Sequence, residues 1–378
     1  PCKRNKGEHH HFYRYYSMKT MILWILGGIV LVILTSFLVE RFVIATPPYK
    51  GAVSDHFNGE TFFTPGAPEP GEFGDLLKWL TNRDEGEWLP KRTATDVRQT
   101  IPEERIGADS AQGIKTRITF VNHATMLIQT EGCNILTDPV WADVAGVFDL
   151  VGAKRMRPAG VPFEKLPQID LILLSHNHYD HLDIGTMKRL AERFKPTIIV
   201  PLGNKAYLEK NGIENVQEYD WWQQTPFVHK GKTFHIHCVP AQHFSGRGVS
   251  DRNKSLWCGF VVQSAQTGEE LYFAGDSGYG AHFKRIGEKF TNIVCAMIPI
   301  GAFRPRWFMS PVHIGPEEAV KVHLDIQAKQ SLAMHFGTFP LADDGEQEPI
   351  DELKKSLQQA TINESAFRAI NNGEWIEW

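Results

Sequence analysis

Six consecutive residues, His176-Asn177-His178-Tyr179-Asp180-His181, set three imidazoles and a carboxylate directly after the apolar run Asp170–Leu174. A short apolar run that stops abruptly in polar residues reads as a strand buried on both faces. Strand ends are where α/β folds hold their ligands, and imidazole and carboxylate are ligand types that catalytic Zn²⁺ accepts. Four such groups on one tight loop cannot all reach a single ion without severe strain. Two neighbouring ions relieve it, with His176 and His178 on one and Asp180 and His181 on the other.

Two ions need further ligands, and other strand ends offer them. His243 follows a strand ending near Val239, Asp276 ends LYFAGDSG between glycines that let the backbone turn, and His335 ends SLAMHFGT. One such residue alone is more often structural; several together with a dense cluster point to a metal centre. Strands are expected at Arg117–Val121, Met126–Gln129, Asn134–Thr137, Thr197–Val200, Thr233–Val239, Leu256–Val262, Leu271–Ala274, Ile293–Ile298 and Ser331–His335. Helices are expected at Ile184–Phe194, Ala281–Phe290 and Pro316–Ile326, the last with Pro316 in its first turn and Glu317 and Glu318 beside it. Strand meanders mixed with helices that follow single strands imply two sheets with helices outside, an α/β sandwich of layers.

Ahead of this lies a different kind of segment. Met21–Val39 holds nineteen residues without a charge, which at ~1.5 Å per residue spans roughly the thickness of a bilayer's hydrocarbon core. Gly27 and Gly28 suit a membrane helix better than a soluble one. Lys3, Arg4, Lys6, Arg14 and Lys19 precede it, while Glu40 and Arg41 nearly cancel after it. The positive-inside bias puts the N-terminus in the cytoplasm and the main domain on the periplasmic or extracytoplasmic side. The stretch is longer than a signal-peptide apolar region, so an uncleaved single-pass anchor is favoured. Residues 1–17 read as a tail or upstream translated sequence, residues 18–50 as anchor and linker, and residues 51–378 as the main domain. Residues 42–115 are rich in proline and glycine and read as linker and irregular extension. The five cysteines are scattered, without a CxxC pair, as expected of buried free thiols. A net charge of −4 gives no reason to expect nucleic acid as a partner.

The run His176–His181 is the HxHxDH motif of the metallo-β-lactamase superfamily. The chain resembles the branch that contains N-acyl-phosphatidylethanolamine-hydrolysing phospholipase D and its bacterial, RomA-like relatives. The resemblance rests on SDHFNGETFFTP from Ser54, FVNHATMLIQ from Phe120, NILTDPVW from Asn134, SHNHYDHLD from Ser175, PAQHFSGRG from Pro240, DRNKSLWCGF from Asp251, YFAGDSGYG from Tyr272, PIGAFRPRWFM from Pro299 and MHFGTF from Met334. It covers about residues 51–378 and implies the αβ/βα four-layer sandwich of that superfamily.

The resemblance implies that His176, His178 and His243 hold one zinc ion, that Asp180, His181 and His335 hold the other, and that Asp276 bridges them. Asp138, in LTDP, would sit behind the ligands and accept the free N–H of one imidazole. The paired ions would supply hydroxide near neutral pH for attack on a phosphodiester. His313, in FMSPVHIG, occupies the place of a histidine that contacts substrate, steadying a phosphoryl oxygen or protonating the leaving alkoxide. Asp180, Asp276 and His313 are thus the expected catalytic groups. Arg247 and Arg306 are expected to bind phosphate, and Trp307 to line an acyl groove or membrane-facing surface. The implied substrate is a membrane phospholipid met at the bilayer, and a homodimer is compatible with the reading. Other readings are a lactonase or related hydrolase on the same site, an iron redox protein of the same fold, and a non-catalytic envelope protein. Val312 before His313 departs from the polar residue of the mammalian enzymes, and a membrane anchor departs from the peripheral lipid-cleaving relatives.

Overall fold

The computed structural model describes residues 8–107 and 115–378, the first ten of them by backbone alone. The expected tail over residues 1–17 therefore lies partly outside the described residues, and helix is present from Glu8. The chain divides into two compact units. The first holds helix α1 (Glu8–Val39), prolonged by a π-helical turn at Glu40–Ile44. Met18–Ile44, 27 residues, is long and apolar enough to cross a membrane and buries none of its length. No polar face interrupts it, unlike a helix that packs on a soluble core.

The second unit begins at Thr46 and contains the remaining elements. Its strands are β1 (Thr116–Asn122), β2 (Thr125–Thr130), β3 (Cys133–Thr137), β4 (Val144–Val147), β5 (Val151–Lys154), β6 (Leu171–Leu173), β7 (Thr197–Pro201) and β8 (Val216–Tyr219). There follow β9 (Gln224–His229), β10 (Lys232–Val239), β11 (Gly259–Ser264), β12 (Glu270–Phe273), β13 (Ile293–Pro299), β14 (Ser331–Met334), β15 (Phe367–Arg368) and β16 (Trp375–Glu377). The helices are α2 (Phe73–Thr81), α3 (Ile184–Phe194), α4 (Lys205–Lys210), α5 (His282–Lys289), α6 (Arg306–Met309), α7 (Pro316–Asp325) and α8 (Glu348–Gln359).

Two seven-stranded sheets form the middle layers, ordered β16-β1-β2-β3-β6-β7-β8 and β15-β14-β13-β12-β11-β10-β9. Alternation along the strands assigns each side chain to a layer. Leu171 and Leu173 face the inter-sheet core with Ile128, Ile135, Phe260 and Met297. Ile172 and Leu174 face outward onto Met187 and Leu190 of α3 and Leu208 of α4. Phe283 and Ile286 of α5, Val320 of α7 and Leu353 of α8 cover the second sheet. The result is the expected four-layer sandwich, helix–sheet–sheet–helix.

Strand direction positions the site. Within the first sheet β1, β3 and β6 run parallel to one another, because β2 is antiparallel to both β1 and β3, and β3 pairs parallel with β6. Within the second, β10, β12, β13 and β14 share one direction, with β11 reversed between β10 and β12. Each sheet therefore delivers several strand ends to one edge.

The expected elements are present, most with ends shifted by a residue or two; β11 begins three residues later than expected, at Gly259. The region read as irregular extension contains α2. Its signal is a capping aspartate, with Asp75 accepting from the Glu72 N–H at 3.0 Å, followed by apolar residues at helical spacing. Earlier in the same region Phe57 and Phe62 form a bridge and pack on Leu256 and Trp257. His56 lies between Asp55, at 2.6 Å from Nδ1, and Asp220, at 2.7 Å from Nε2, and stacks on Trp221. Burial opposes its protonation, but hydrogen bonds to Asp220 and Asp55 prevail and raise its pKa above 6.5. The stabilisation is therefore fully present below about pH 6.5 and is lost as pH rises through the folded-state pKa. His56→Gln should cost stability in mildly acidic buffer and progressively less in alkaline buffer, as read by urea denaturation across pH.

Candidate metal centre

The tight loop after β6 carries the densest part of the site. His176 Nε2 lies 2.9 Å from His178 Nδ1, which lies 3.2 Å from His243 Nε2 on the loop after β10. His243 Nδ1 is 2.8 Å from the Val312 carbonyl, so it carries the proton and leaves Nε2 bare. The three nitrogens converge as the ligands of one cation would. Burial first, then neighbouring rings, depresses all three pKa values, that of His178 to about 3, so the rings are neutral as ligation requires.

A second group lies beside the first. Asp180 Oδ2 is 3.3 Å from both His181 Nε2 and His335 Nε2. Asp276 Oδ2, on the loop after β12, is 3.1 Å from His181 Nε2, 3.0 Å from His335 Nε2 and 3.8 Å from His243 Nε2. One carboxylate oxygen thus faces members of both groups, while Asp276 Oδ1 is buried without a hydrogen-bond partner. Burial opposes ionisation of Asp180 and Asp276, but the charge at His181 outweighs it and holds both well below the carboxylate range. His335 is raised to about 9, burial notwithstanding, by Asp276 first and Asp180 next. The donor set is therefore nitrogen-rich on one side and anionic on the other, which fits a pair of divalent ions with zinc-type ligands.

Asp138 ends β3 and takes the expected supporting place. Its fully buried Oδ2 lies 2.6 Å from His181 Nδ1, and Oδ1 accepts from the Ser175 N–H at 2.7 Å. That bond holds the His181 Nδ1–H and turns Nε2 toward the centre, where an ion would take the place of the proton that now pairs with Asp180 and Asp276. Gly275, with φ +61°, allows the turn that aims Asp276, since a Cβ there would come within 2.7 Å of the Cys258 carbonyl. His123, Asp138 and His335 occupy left-handed backbone with φ of 47°, 32° and 60°, each at the first or second residue past a strand.

His313 enters from the side, Nδ1 3.8 Å from Asp276 Oδ2 and its ring 5.0 Å from that of His243. Burial lowers its pKa to about 4. The expected arginines are placed otherwise. Arg247 is buried and donates to the Asn177 and Leu182 carbonyls, both at 2.8 Å, while its guanidinium stacks on Tyr179. It braces the histidine loop through those two carbonyls. Arg306 donates to the His313 carbonyl at 2.9 Å and pairs with Glu318 at 2.6 Å, so it holds the His313 loop against α7. Trp307 is 48% exposed, under the Lys78 ammonium of α2.

The sequence reading passed over His123. Its Nε2 lies 2.9 Å from Asp180 Oδ2, and it groups with Asp180, His181 and His335. Its signals were its place after β1 and its presence in FVNHATMLIQ, one of the segments that carry the resemblance.

Comparison with known proteins follows the same lines. A family model described as a beta-lactamase superfamily domain matches residues 133–336. N-acyl-phosphatidylethanolamine-hydrolyzing phospholipase D 1 of Caenorhabditis elegans is 38% identical over 343 residues, covering 87% of this chain and 94% of its own. The mitochondrial N-acyl-phosphatidylethanolamine-hydrolyzing phospholipase D of Saccharomyces cerevisiae is 38% identical over 225 residues, 59% of this chain and 48% of its own. Among solved structures, isothiocyanate hydrolase from Delia radicum gut bacteria superposes with a TM-score of 0.54 at 19% identity, over 69% of this chain and 99% of its own, a likeness of fold alone.

Arg247→Met would leave the Asn177 and Leu182 carbonyls without donors. The expected cost is about 3 kcal/mol of stability, measured by chemical denaturation, with weakened metal uptake because the histidine loop loses its brace.

Proposed function

Because the chain belongs to the beta-lactamase superfamily, we propose that it is a membrane-anchored phosphodiesterase of phospholipase D type that uses two zinc ions. The substrate proposed is N-acyl-phosphatidylethanolamine or a related phospholipid, cleaved to phosphatidic acid and an N-acylethanolamine. The observation that carries the reading is Asp276 Oδ2, which faces both ligand groups at once. Histidine-rich ligation favours zinc over an iron redox centre. His176, His178 and His243 would hold one ion, and Asp180, His181 and His335 the other. Bound there, the pair would activate water near neutral pH and offset charge on a phosphoryl group.

The chain's own residues do the positioning. Asp138 keeps the His181 tautomer, Val312 keeps that of His243, and Arg247 holds the loop that bears four of the ligands. His313 is placed beside the centre to donate an N–H to a phosphoryl oxygen, a bond that tightens as negative charge builds there. No protein nucleophile is needed for such a displacement.

Two further features support a lipid substrate. Phe73, Leu77 and Leu80 of α2 are 72%, 47% and 50% exposed, respectively. At 100° per residue the apolar arc of α2 spans about 160°, and only its Leu76–Trp79 side packs on Met309 and Ala342. The remaining apolar stripe, Phe73, Leu77 and Leu80, faces solvent, and Lys78 of the same helix lies over Trp307, on the element that leads into His313. The apolar helix Met18–Ile44 would act as the anchor, with the N-terminus cytoplasmic, the remainder of the chain on the opposite side, and residues 51–378 as the hydrolytic domain.

The first test is metal content of the purified full chain in detergent. About two zinc per chain, falling in Asp276→Ala, would support the centre; one ion, or iron, would sink it. The same protein should then release N-acylethanolamine from its phospholipid. Carboxylic acids formed from a lactone panel, with no phosphodiester cleavage, would move the activity to a lactonase. His313→Gln should lower kcat by about a hundredfold with KM little changed, as steady-state kinetics would read. Phe73→Ser with Leu77→Ser should slow cleavage of bilayer substrate more than that of a short-chain soluble analogue.

A further inference from the structure

His123 lies ahead of the residues that the family model covers, and nothing in the proposed ligand sets gives it a role. It is buried at the end of β1, and three of its contacts converge on the second ligand group. Its Nε2 is 2.9 Å from Asp180 Oδ2. Its carbonyl accepts from the His335 N–H at 2.8 Å. Its own N–H donates to Thr338 Oγ1 at 3.1 Å, three residues beyond His335. The rings of His123 and His335 lie 4.0 Å apart between centroids. Asp180 comes from the first sheet and His335 from the second, so a single residue grips both.

From this geometry we infer that His123 is a positioning residue, a latch that holds Asp180 and His335 at the spacing a second ion requires. The inference rests on the two-ion reading. An ionised Asp180 can only accept, so the His123 proton is on Nε2 and points at Oδ2. A carboxylate oxygen has two lone pairs. With one occupied by His123, rotation of Asp180 is stopped and the other is left toward His181 and His335. The same bond draws charge from the carboxylate and moderates its grip on the ion. The alternative, Nε2 itself as a fourth ligand beside Asp180, His181 and His335, differs from the latch in the atom that carries the proton, and the test below reads that atom. His123 holds its place in left-handed backbone, φ 47°, a conformation that a non-glycine residue keeps only where its surroundings hold it.

The test is chelator competition on the zinc-loaded full chain, reading the affinity of each ion separately. His123→Ala should weaken the second ion by about 10- to 100-fold and leave the first nearly unchanged. His123→Gln, whose amide nitrogen reaches the Nε2 position, should recover most of the loss. Wild-type protein that takes up a single ion overturns the two-ion reading, and the latch with it. Two ions in the wild type with unchanged affinities in His123→Ala overturn the latch alone, as does a glutamine variant no better than alanine. Should the alanine variant not fold, ¹⁵N-histidine spectra of the zinc-loaded wild type decide. A proton on His123 Nε2 is expected, and a metal-bound Nε2 or an Nδ1–H tautomer overturns the inference.

Discussion

A single carboxylate oxygen, Asp276 Oδ2, lies within 4 Å of imidazoles from four separate loops, those of His181, His243, His313 and His335. Asp276 is buried there, and those imidazoles are its partners. Burial of such a charge is costly unless it is paired, and pairing to this degree needs loops from both sheets to meet. They meet because the ligand-bearing strands of each sheet run one way, with β2 and β11 reversed between them. Apolar residues facing both ways along β6 and β7 lock those strands between the inter-sheet core and the outer helices. Ligand positions are therefore set by the core, and the loops add little freedom.

The parts of this arrangement that were legible in the chain were the dense or abruptly ending ones. His176–His181 announced itself by density, and Asp276 and His335 by closing apolar runs. Helix α3 was legible to the residue because its apolar period is regular and both its ends are marked. The short pieces were not. Strand β16 pairs with β1 from the far end of the chain, β4 and β5 form a mostly exposed hairpin, and α2 hides among prolines. Such elements carry too few residues for a period to show.

Charge misled where burial was invisible. Arg247 and Arg306 looked like phosphate binders because a guanidinium near a metal motif usually suggests one. Both are spent on backbone carbonyls of the loops that carry His178 and His313. A sequence states that a cation is present and not which face of the fold it meets. His123 was missed for the converse reason: an isolated histidine after a strand has no local partner to reveal it, and its partner Asp180 is fifty-seven positions away.

The left-handed backbone at His123, Asp138 and His335 has a consequence for how such a chain can change. Histidine, aspartate and asparagine tolerate that conformation better than other side chains, and β-branched or bulky residues tolerate it worst. Each of these positions is therefore filtered twice, once by coordination chemistry and once by sterics. Glycine is the one replacement that relieves the strain, and it carries no donor. At these sites glycine would also take a partner from a buried group, His335 from Asp276, His123 from Asp180 and Asp138 from His181, so relief of strain comes with a loss of pairing and of grip on metal. A relative bearing glycine there would be recognisable from sequence as a fold that has outlived its chemistry.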